Sequence, residues 1–268
     1  LSFFSPDYVF VNTTKLLHLY RKTFFESNSN IILVCHDLYY FRKEYFRENK
    51  FIDSTPLKKE QEIDCLSRCK FIIDFSHYEQ QYLISSGIKK EKLIFTSTPV
   101  KVEKFSYSKA RYFDYFLIGS NWKQNTLSVE RYFLKFKIFF SAKKVKVVGM
   151  RFANDLLTFS FVPSLRKSDF LDSKIGLAPI FEGTGRNVKI FSMMGYGLPV
   201  VTNKELSKFG LVDGIHYVYV KSLGEWEKKL KELEENFDLR HSIAFNGWNW
   251  VKKNSDYKVA FNNLINSC

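Results

Sequence analysis

The sequence contains little of what defines several protein classes. Its 268 residues include 4 cysteines, 12 glycines and 6 prolines, too few for a disulfide-rich scaffold or a collagen-like repeat. No stretch approaches the roughly 18 uncharged apolar residues that a membrane-spanning helix requires. These absences exclude an integral membrane protein and a small disulfide-stabilised domain.

The start of the chain lacks a secretory signal, because no basic segment followed by an apolar one opens the sequence. An initiator methionine is also missing, since the chain begins Leu1-Ser2-Phe3. The few cysteines fit a reducing compartment. We therefore expect a cytoplasmic protein. We also expect a shortened first domain, and whether the chain is a fragment stays open.

The chain is rich in apolar and basic residues. Apolar residues make up 45% and aromatic residues 18%, which excludes a disordered chain because enough surface can be buried to offset the ordering entropy. Lys and Arg number 41 against 28 Asp and Glu, a net charge of +13, and residues 121–150 hold seven basic residues but only one acidic residue. Such a surface attracts polyanions, anionic lipid headgroups or a phosphorylated substrate; a merely solvated face is the alternative.

Cys65 and Cys69 are four positions apart on a predicted helix and so share a face. Two sulfur ligands without a second nearby Cys or His pair do not make a zinc site. We predict a buried or half-buried thiol pair, and no metal.

Short apolar runs alternate with helix-like segments along the chain. The runs at 31–35 (IILVC) and 71–75 (FIIDF) are typical of strands covered on both faces. The alternation predicts an α/β protein in which parallel sheets carry helices on both faces. A polar, Lys-rich stretch at 99–109 predicts a linker. We expect two Rossmann-like domains, residues 1–110 with four strands and residues 111–268.

The most informative segment is 175–201, IGLAPIFEGTGRNVKIFSMMGYGLPVV. A predicted strand leads into a glycine-containing loop at 182–185, and a helix follows. Glycines at a strand-to-helix turn let backbone amides approach an anion, and the helix start adds the positive end of a dipole. Arg186 and Lys189 supply full charges for a diphosphate. Taken alone, the segment could also be an ordinary tight connection.

This segment resembles the signature of the group 1 glycosyltransferases, GT-B enzymes many of which belong to family 4. The shared features are Glu-Gly-x-Gly, then Lys-Ile, then a small-residue helix that ends Gly-Leu-Pro-Val-Val. Other segments that resemble the family are 34–38, 76–87, 92–94, 116–120 with Asn125, 147–149 and 162–164. The resemblance covers nearly the whole chain and implies that the second domain binds a nucleotide sugar.

The resemblance also implies roles for single residues. The residues expected to hold the donor diphosphate are Gly183, Thr184, Gly185, Arg186 and Lys189. The residues expected at the nucleotide are Gly119, Ser120, Pro163, Ser164 and Ser192. Glu182 and His36 are the expected catalytic residues: Glu182 would contact hydroxyls of the transferred sugar, and His36 the donor sugar or the acceptor. A histidine at a strand end held by a backbone carbonyl, before a helix-capping Asp37, is the alternative for His36.

Two positions depart from the family pattern. Ser192 stands where the family usually has a second Glu, and a hydroxyl cannot bridge both ribose hydroxyls as a carboxylate does. A different nucleotide or an impaired site therefore stays open. Of the Arg and Lys that many relatives carry after the first strand of the donor domain, only Lys123 is present. No Asp-x-Asp triplet occurs in the sequence, which agrees with a metal-independent, cofactor-free reaction in which cations and a helix dipole stabilise the leaving group.

Residues 127–146 mix aromatic with basic side chains. The residues concerned are Arg131, Tyr132, Phe133, Lys135, Phe136, Lys137, Phe139, Phe140, Lys143 and Lys144. A basic-aromatic helix can rest on an anionic membrane surface. The alternative is an outer helix of a Rossmann-like domain that buries its aromatic face on the sheet, and both can hold at once.

The resemblance implies a glycosyltransferase that moves a sugar from a UDP- or GDP-sugar to a saccharide or lipid-linked acceptor, with retention of configuration, in surface polysaccharide synthesis. The expected location is the cytoplasm at the inner face of the membrane, with anionic lipid and a partner chain as further contacts and no nucleic acid. Two hypotheses stay open beside it. One is a donor-binding or partner module of a multi-chain glycosyltransferase without activity of its own. The other is a basic nucleic-acid-binding protein, favoured by charge and aromatic content.

Overall fold

The computed structural model of the chain describes residues 6–27, 29–36, 38–40, 57–75, 77–96, 98–120, 126, 129, 130, 132, 134–150, 159–180 and 188–265. These residues form two compact units. The first consists of the described residues up to 96 together with 262–265, and the second of those between 98 and 261. No helix among the described residues is long and apolar enough to cross a bilayer.

The first unit is built on a parallel sheet whose four strands follow one another in chain order. The strands are β1 (Tyr8–Asn12), β2 (Asn30–Val34), β3 (Phe71–Asp74) and β4 (Leu93–Phe95). The helices are α1 (Thr14–Leu19), α2 (Arg21–Glu26), α3 (Lys59–Ser67) and α4 (His77–Ser85). A short 3-10 turn, Lys90–Lys92, precedes β4.

The apolar run at 31–35 is explained by burial on both faces of β2. Ile31 and Leu33 belong to one buried cluster, which includes α1 and α3 side chains, and Ile32 belongs to another. A strand covered on both sides cannot alternate with polar residues. Cys65 and Cys69 are both buried in the first of these clusters, which confirms the predicted thiol pair.

The second unit contains a parallel sheet of six strands. They are β5 (Phe113–Ile118), β6 (Val145–Val148), β7 (Phe159–Val162), β8 (Ser173–Ala178), β9 (Val200–Thr202) and β10 (Val218–Tyr219). The helices are α5 (Lys137–Ser141), α6 (Lys167–Leu171), α7 (Val188–Gly195), α8 (Leu223–Glu235) and α9 (Phe237–Asn254). A last helix, α10 (Tyr257–Ile265), begins in this unit, and its residues from 262 on are assigned to the first. A 3-10 turn, Ser207–Phe209, follows β9.

The strands of this sheet lie in the order β10-β9-β8-β5-β6-β7. Counted from the first strand of the unit, this is the 3-2-1-4-5-6 order of a doubly wound Rossmann sheet. The chain moves outward in one direction after β5 and in the other after β8. The point where the order reverses lies between these two strands.

Apolar side chains fill both faces of the second sheet. Tyr115 and Leu117 pack in a cluster with Trp226 of α8, whereas Phe116 between them packs with Phe170 of α6 and belongs to a second cluster that includes α7 side chains. Helices therefore cover both faces, as the alternating strand and helix pattern predicts. The predicted α/β class with two parallel sheets is confirmed.

The aromatic side chains of 127–146 that the structure describes point into the second unit. Tyr132 and Phe140 are buried in the core, and Phe136 and Phe139 pack against it. The outer-helix interpretation is thus confirmed for these residues. On the opposite side Ile138 is 91% exposed.

The stretch at 98–110 has no helix or strand and packs on the second unit. Trp248 donates its indole N–H to the carbonyl of Glu103 (2.8 Å), and Tyr107, which is buried, accepts a hydrogen bond from Arg240 (3.2 Å). Polar composition predicts a linker here, but scattered Val100, Phe105 and Tyr107 side chains anchor the backbone instead.

Candidate functional site

The switch point of the second sheet provides the frame of the candidate site. Strands β5 and β8 are neighbours in the sheet and end at Ile118 and Ala178. In doubly wound sheets, ligands bind beyond the carboxyl ends of the two strands at which the strand order reverses. The predicted diphosphate segment follows β8 directly, and the predicted nucleotide residues Gly119 and Ser120 follow β5.

Two glycines allow the turns after β5 and β6 to pack against each other. The Gly119 N–H donates to the carbonyl of Val148 (3.1 Å). Gly149 has a φ of +76°, and a Cβ at that position would lie 2.3 Å from the Gly119 oxygen. A side chain at Gly149 would push the turns apart, whereas a Cβ on Gly119 would lie 2.8 Å from the sulfur of Met150 and would displace that flexible side chain. Gly119 is half-buried and Ser120 is exposed.

The end of β8 is fixed by two side chains, one at the end of β9 and one just after it. Asn203 accepts a hydrogen bond from the Ile180 N–H (2.6 Å) and donates its amide to the Ile180 carbonyl (2.9 Å). The hydroxyl of Thr202 donates to the carbonyl of Ala178 (2.8 Å). These bonds therefore fix the backbone of Ala178 and Ile180.

Five predicted site residues lie outside the described residues. They are Glu182, Gly183, Thr184, Gly185 and Arg186. The described residues on either side of them are Ile180, which follows β8 and is hydrogen-bonded to Asn203, and Val188, where α7 begins. The roles of these five residues stay predictions.

Lys189 lies in the first turn of α7, at the end of the helix that carries the positive pole of its dipole. Burial lowers the pKa of its ammonium group to about 8. A partly desolvated cation at a helix start is a favourable setting for an anion. Ser192, one turn further along α7, is half-buried, and its predicted role also stays a prediction.

Pro163 and Ser164 follow β7 at the same edge of the sheet, and both are exposed. Strand β7 is two positions from β5, a separation of about 10 Å at the usual strand spacing. Asp169 holds the next turn, because one carboxylate oxygen accepts the Arg166 N–H (2.7 Å) and the other pairs with Lys146 (2.6 Å). The loop thus starts and ends on fixed backbone.

Comparison with solved structures gives the fold. No protein-family model matches the chain, and no curated protein matches it. Solved structures do match: HepE of Anabaena in complex with UDP and glucose gives a TM-score of 0.73 at 14% identity, over 97% of this chain and 77% of that one. TarM gives a TM-score of 0.72 at 11% identity, over 97% of this chain and 54% of TarM. A complex of the S. aureus TarM with UDP also matches. The lipopolysaccharide outer core galactosyltransferase WaaB gives 0.64 at 13% identity, over 98% and 75%.

The chain has the GT-B fold. This confirms the fold class that the sequence predicts. Identities of 11–14% establish the fold alone. The chain spans about half the length of TarM, 54%.

In the first of the two units of this GT-B chain, His36 follows β2 at the carboxyl edge of the sheet. It is exposed, and its ring stacks on that of Phe75, which follows β3 (centroids 5.9 Å apart, planes at 16°). The structure therefore places this residue where strands of an α/β sheet present functional side chains. Its contact with a sugar stays a prediction.

Two residues of the second unit were missed by sequence reasoning. Asn203 has the sequence context of an ordinary turn residue, and its partner Ile180 lies 23 positions away. Lys204 is half-buried, and burial together with the nearby charge of Lys208 lowers its pKa. It adds a cation beyond β9, one strand from β8. Among the described residues no group of three or more His, Cys, Asp or Glu side chains has the arrangement of a metal site.

Proposed function

We propose that the chain is a glycosyltransferase that transfers a sugar from a nucleotide-diphosphate sugar, a UDP- or GDP-sugar, to a saccharide or lipid-linked acceptor. One observation carries this proposal: β8 borders the switch point of a doubly wound sheet, and the Gly-x-Gly motif at 183–185 comes in the sequence between Ile180, whose backbone Asn203 holds, and Val188, where α7 begins. Phosphates bind at this position in such sheets because backbone N–H groups and a helix dipole converge there.

The leaving diphosphate defines what the site must do. As the bond between the sugar and the diphosphate breaks, negative charge grows on the phosphate oxygens, and fixed cations and N–H groups lower the energy of that state. Lys189 at the start of α7 and Arg186 would supply the cations. Transfer would need no metal and would retain configuration, the acceptor hydroxyl passing its proton to a phosphate oxygen.

The acceptor and location belong to the same proposal. HepE has been solved with UDP and glucose, and TarM with UDP and a glycerol-linked N-acetylglucosamine, which supports a nucleotide-sugar donor and a saccharide acceptor. The net charge of +13 supports an anionic acceptor or membrane surface at the inner face of the membrane. Synthesis of a surface polysaccharide is the process we propose.

A panel of UDP, GDP and their sugars tests the proposal, scored by the shift in melting temperature and then by transfer to a saccharide acceptor. We expect one nucleotide to raise the melting temperature, because a ligand that binds only the folded state stabilises it. The double variant R186A/K189A should lose this shift in melting temperature. Its matched control, K252A/K253A, removes two exposed cations and should keep the shift. A panel without any stabilising nucleotide would contradict the proposal.

A second candidate function is a donor-binding or partner module of a multi-chain enzyme. The similarity to the solved GtfA/B complex favours it (TM-score 0.61, 12% identity, 91% of this chain and 54% of that one). This candidate predicts donor binding without transfer by the chain alone, and transfer once a partner is added. The nucleic-acid hypothesis rests on charge and aromatic content, and it predicts salt-sensitive DNA or RNA binding that nucleotide sugars leave unchanged.

A further inference from the structure

The carboxylate of Glu62 is buried in the first unit and accepts three hydrogen bonds. Glu62 lies on α3 and is 1% exposed. One oxygen accepts the Tyr39 N–H (2.8 Å) and the Thr14 hydroxyl (2.9 Å), and the other accepts the Tyr40 N–H (2.9 Å). The carboxylate therefore joins segments that are 22 to 48 positions from it in the sequence.

The backbone groups that it binds belong to the start of a helix. Tyr39 and Tyr40 are helical and follow β2. The first N–H groups of a helix have no partner within the helix and need an acceptor from elsewhere. Glu79 of α4, also buried, accepts the adjacent Leu38 N–H (3.4 Å). Two buried carboxylates from two helices thus hold three successive N–H groups.

The third donor, Thr14, connects Glu62 to the loop after β1. Thr13, which precedes it, has a φ of 121° and is the one non-glycine residue with positive φ among those the structure describes. For a β-branched residue this conformation is strained, by about 1–3 kcal/mol, and persists only where surrounding contacts enforce it. The bond from Thr14 to Glu62 is such a contact. Glu62 therefore links the loops that leave β1 and β2 at one edge of the sheet.

A carboxylate is a costly group to bury for the sake of stability alone. Burial raises the pKa of Glu62, whereas the hydrogen bonds from Tyr40, Tyr39 and Thr14 lower it and offset part of that cost. Buried charged groups often add little net stability but fix one arrangement of the chain. The arrangement that Glu62 fixes here is that of the backbone three and four residues after His36.

We propose that Glu62 is a positioning residue for His36. It anchors the backbone behind the histidine through Tyr39 and Tyr40, while Phe75 supports the imidazole ring by stacking. Without the anchor, the backbone of Tyr39 and Tyr40 would sample more than one position, and the imidazole of His36 with it. A displacement of about 1 Å can cost a reaction about a hundredfold. This inference rests on the proposed function, since it assigns His36 a task at the sugar.

A double-mutant cycle with E62Q and H36A tests the proposal in transfer assays with the full chain. Glutamine keeps the size of the side chain, but its NH2 group cannot accept the hydrogen bond that the second carboxylate oxygen of Glu62 accepts. We expect E62Q to lower kcat about tenfold or more in the wild-type background and to have no further effect on kcat once His36 is alanine. An equal loss of kcat in both backgrounds would show a merely structural role and overturn the proposal.

The matched control is K92M, at the opposite, amino edge of the same sheet. Lys92 donates to the carbonyls of Ser67 (2.6 Å) and Cys69 (2.9 Å), so its replacement should lower the melting temperature while kcat below that temperature stays unchanged. If E62Q does not fold, T14V takes its place, because it removes one donor to the same carboxylate and leaves the charge in position.

A second readout separates this proposal from the proposed function. The imidazole resonances of His36 are followed by NMR in the free protein, which needs neither donor nor acceptor. We expect E62Q to shift or broaden them and K92M to leave them unchanged. If the wild type transfers no sugar but these resonances respond, the proposed function fails and the positioning role stands. Unchanged His36 resonances in folded E62Q, or in T14V if it replaces E62Q, would overturn the positioning role.

Discussion

Asn203 extends the pairing of β8 and β9 by one residue through its side chain. Its amide binds both the N–H and the carbonyl of Ile180, at 2.6 and 2.9 Å. A side-chain amide can replace a backbone peptide in this way because it carries one donor and one acceptor side by side. The pairing fixes the backbone at Ile180, the last described residue before the predicted diphosphate segment.

The variant N203D should weaken both the fold and nucleotide binding. Aspartate still accepts the Ile180 N–H, but its second oxygen faces the Ile180 carbonyl without a proton to share. We expect a loss of about 1–3 kcal/mol in the free energy of unfolding, measured by urea denaturation, and weaker UDP binding in calorimetry. N246D makes the same chemical change at an amide with only a long 3.5 Å contact to Ser242, and it should leave both unchanged. If N203D bound UDP with the affinity of the wild type, the role of Asn203 in fixing the end of β8 for nucleotide binding would be contradicted.

Lys189 predicts a pH dependence of nucleotide binding. Its pKa of about 8 lies below the ordinary value of 10.5 because of burial, so the free protein loses this cation as the pH rises through 8. The affinity for UDP should therefore fall between pH 7 and pH 9.5. In K189R the guanidinium stays charged over that range, and the affinity should hardly change with pH.

The lowered pKa of Lys189 also makes the stability of the fold depend on pH. The free energy of unfolding should rise with pH, whereas the affinity for UDP should fall. A lysine whose folded pKa is depressed binds more protons in the unfolded state between the two pKa values. Its contribution to the free energy of unfolding therefore rises with pH from about 8 to 10.5. Urea denaturation at several pH values should show that rise in the wild type and lose it in K189M. Parallel pH profiles for these two proteins would contradict the assigned pKa.

The buried pair of Lys146 and Asp169 should be sensitive to the loss of one partner. The side chains are 10% and 4% exposed and 2.6 Å apart. D169A leaves the ammonium of Lys146 buried without its partner, which costs about 3–5 kcal/mol in the free energy of unfolding. The double variant K146M/D169L removes both charges and should lose less free energy of unfolding than D169A.

The control for this pair is the exposed one between Glu227 and Lys231 on α8, four positions apart. Removing Glu227 should leave the denaturation midpoint unchanged, since exposed pairs contribute little. Equal losses in the free energy of unfolding for D169A and E227A would contradict the prediction, because the buried ion pair would then contribute no more than the exposed one.

Gly149 should tolerate no side chain. With a φ of +76° and the Gly119 oxygen 2.3 Å from an added Cβ, G149A should lower the free energy of unfolding by at least about 2 kcal/mol. Gly224, in the first turn of α8, has open space around its Cα. G224A should stabilise the protein by up to about 1 kcal/mol, because alanine favours a helix. A neutral G149A would contradict the packed double turn after β5 and β6.

The sequence predicted the strands well, because their signal is local. The runs at 31–35 and 71–75 form β2 and β3 within one residue, and the apolar run at 145–148, typical of a strand by the same signal, forms β6. The sequence of 13–25 is typical of one helix, but the structure has two helices there, since the chain departs from helical geometry at Tyr20 (φ −109°, ψ 23°). Helix ends depend on tertiary contacts more than on composition.

The candidate site was predicted only as far as local motifs reach. The Gly-x-Gly segment has a local signature, so its position between a strand and a helix could be anticipated. Glu62 and Asn203 could not, because their partners lie 22 to 48 and 23 positions away in the sequence and their residue types also occur on ordinary surfaces. The packed stretch at 98–110 shows the same limit, since its anchors are single aromatic residues in a polar context.

The most direct measurement is calorimetric titration of UDP and GDP into the wild-type protein and into R186A/K189A. The account predicts saturable binding of one nucleotide by the wild type and a loss of affinity of at least about tenfold in the double variant, as expected when two charge-assisted contacts to a phosphate are removed. The control K252A/K253A, which removes the same charge from exposed positions on α9, should bind like the wild type. Equal affinity in wild type and R186A/K189A, or no nucleotide binding by the folded wild type, would contradict the account.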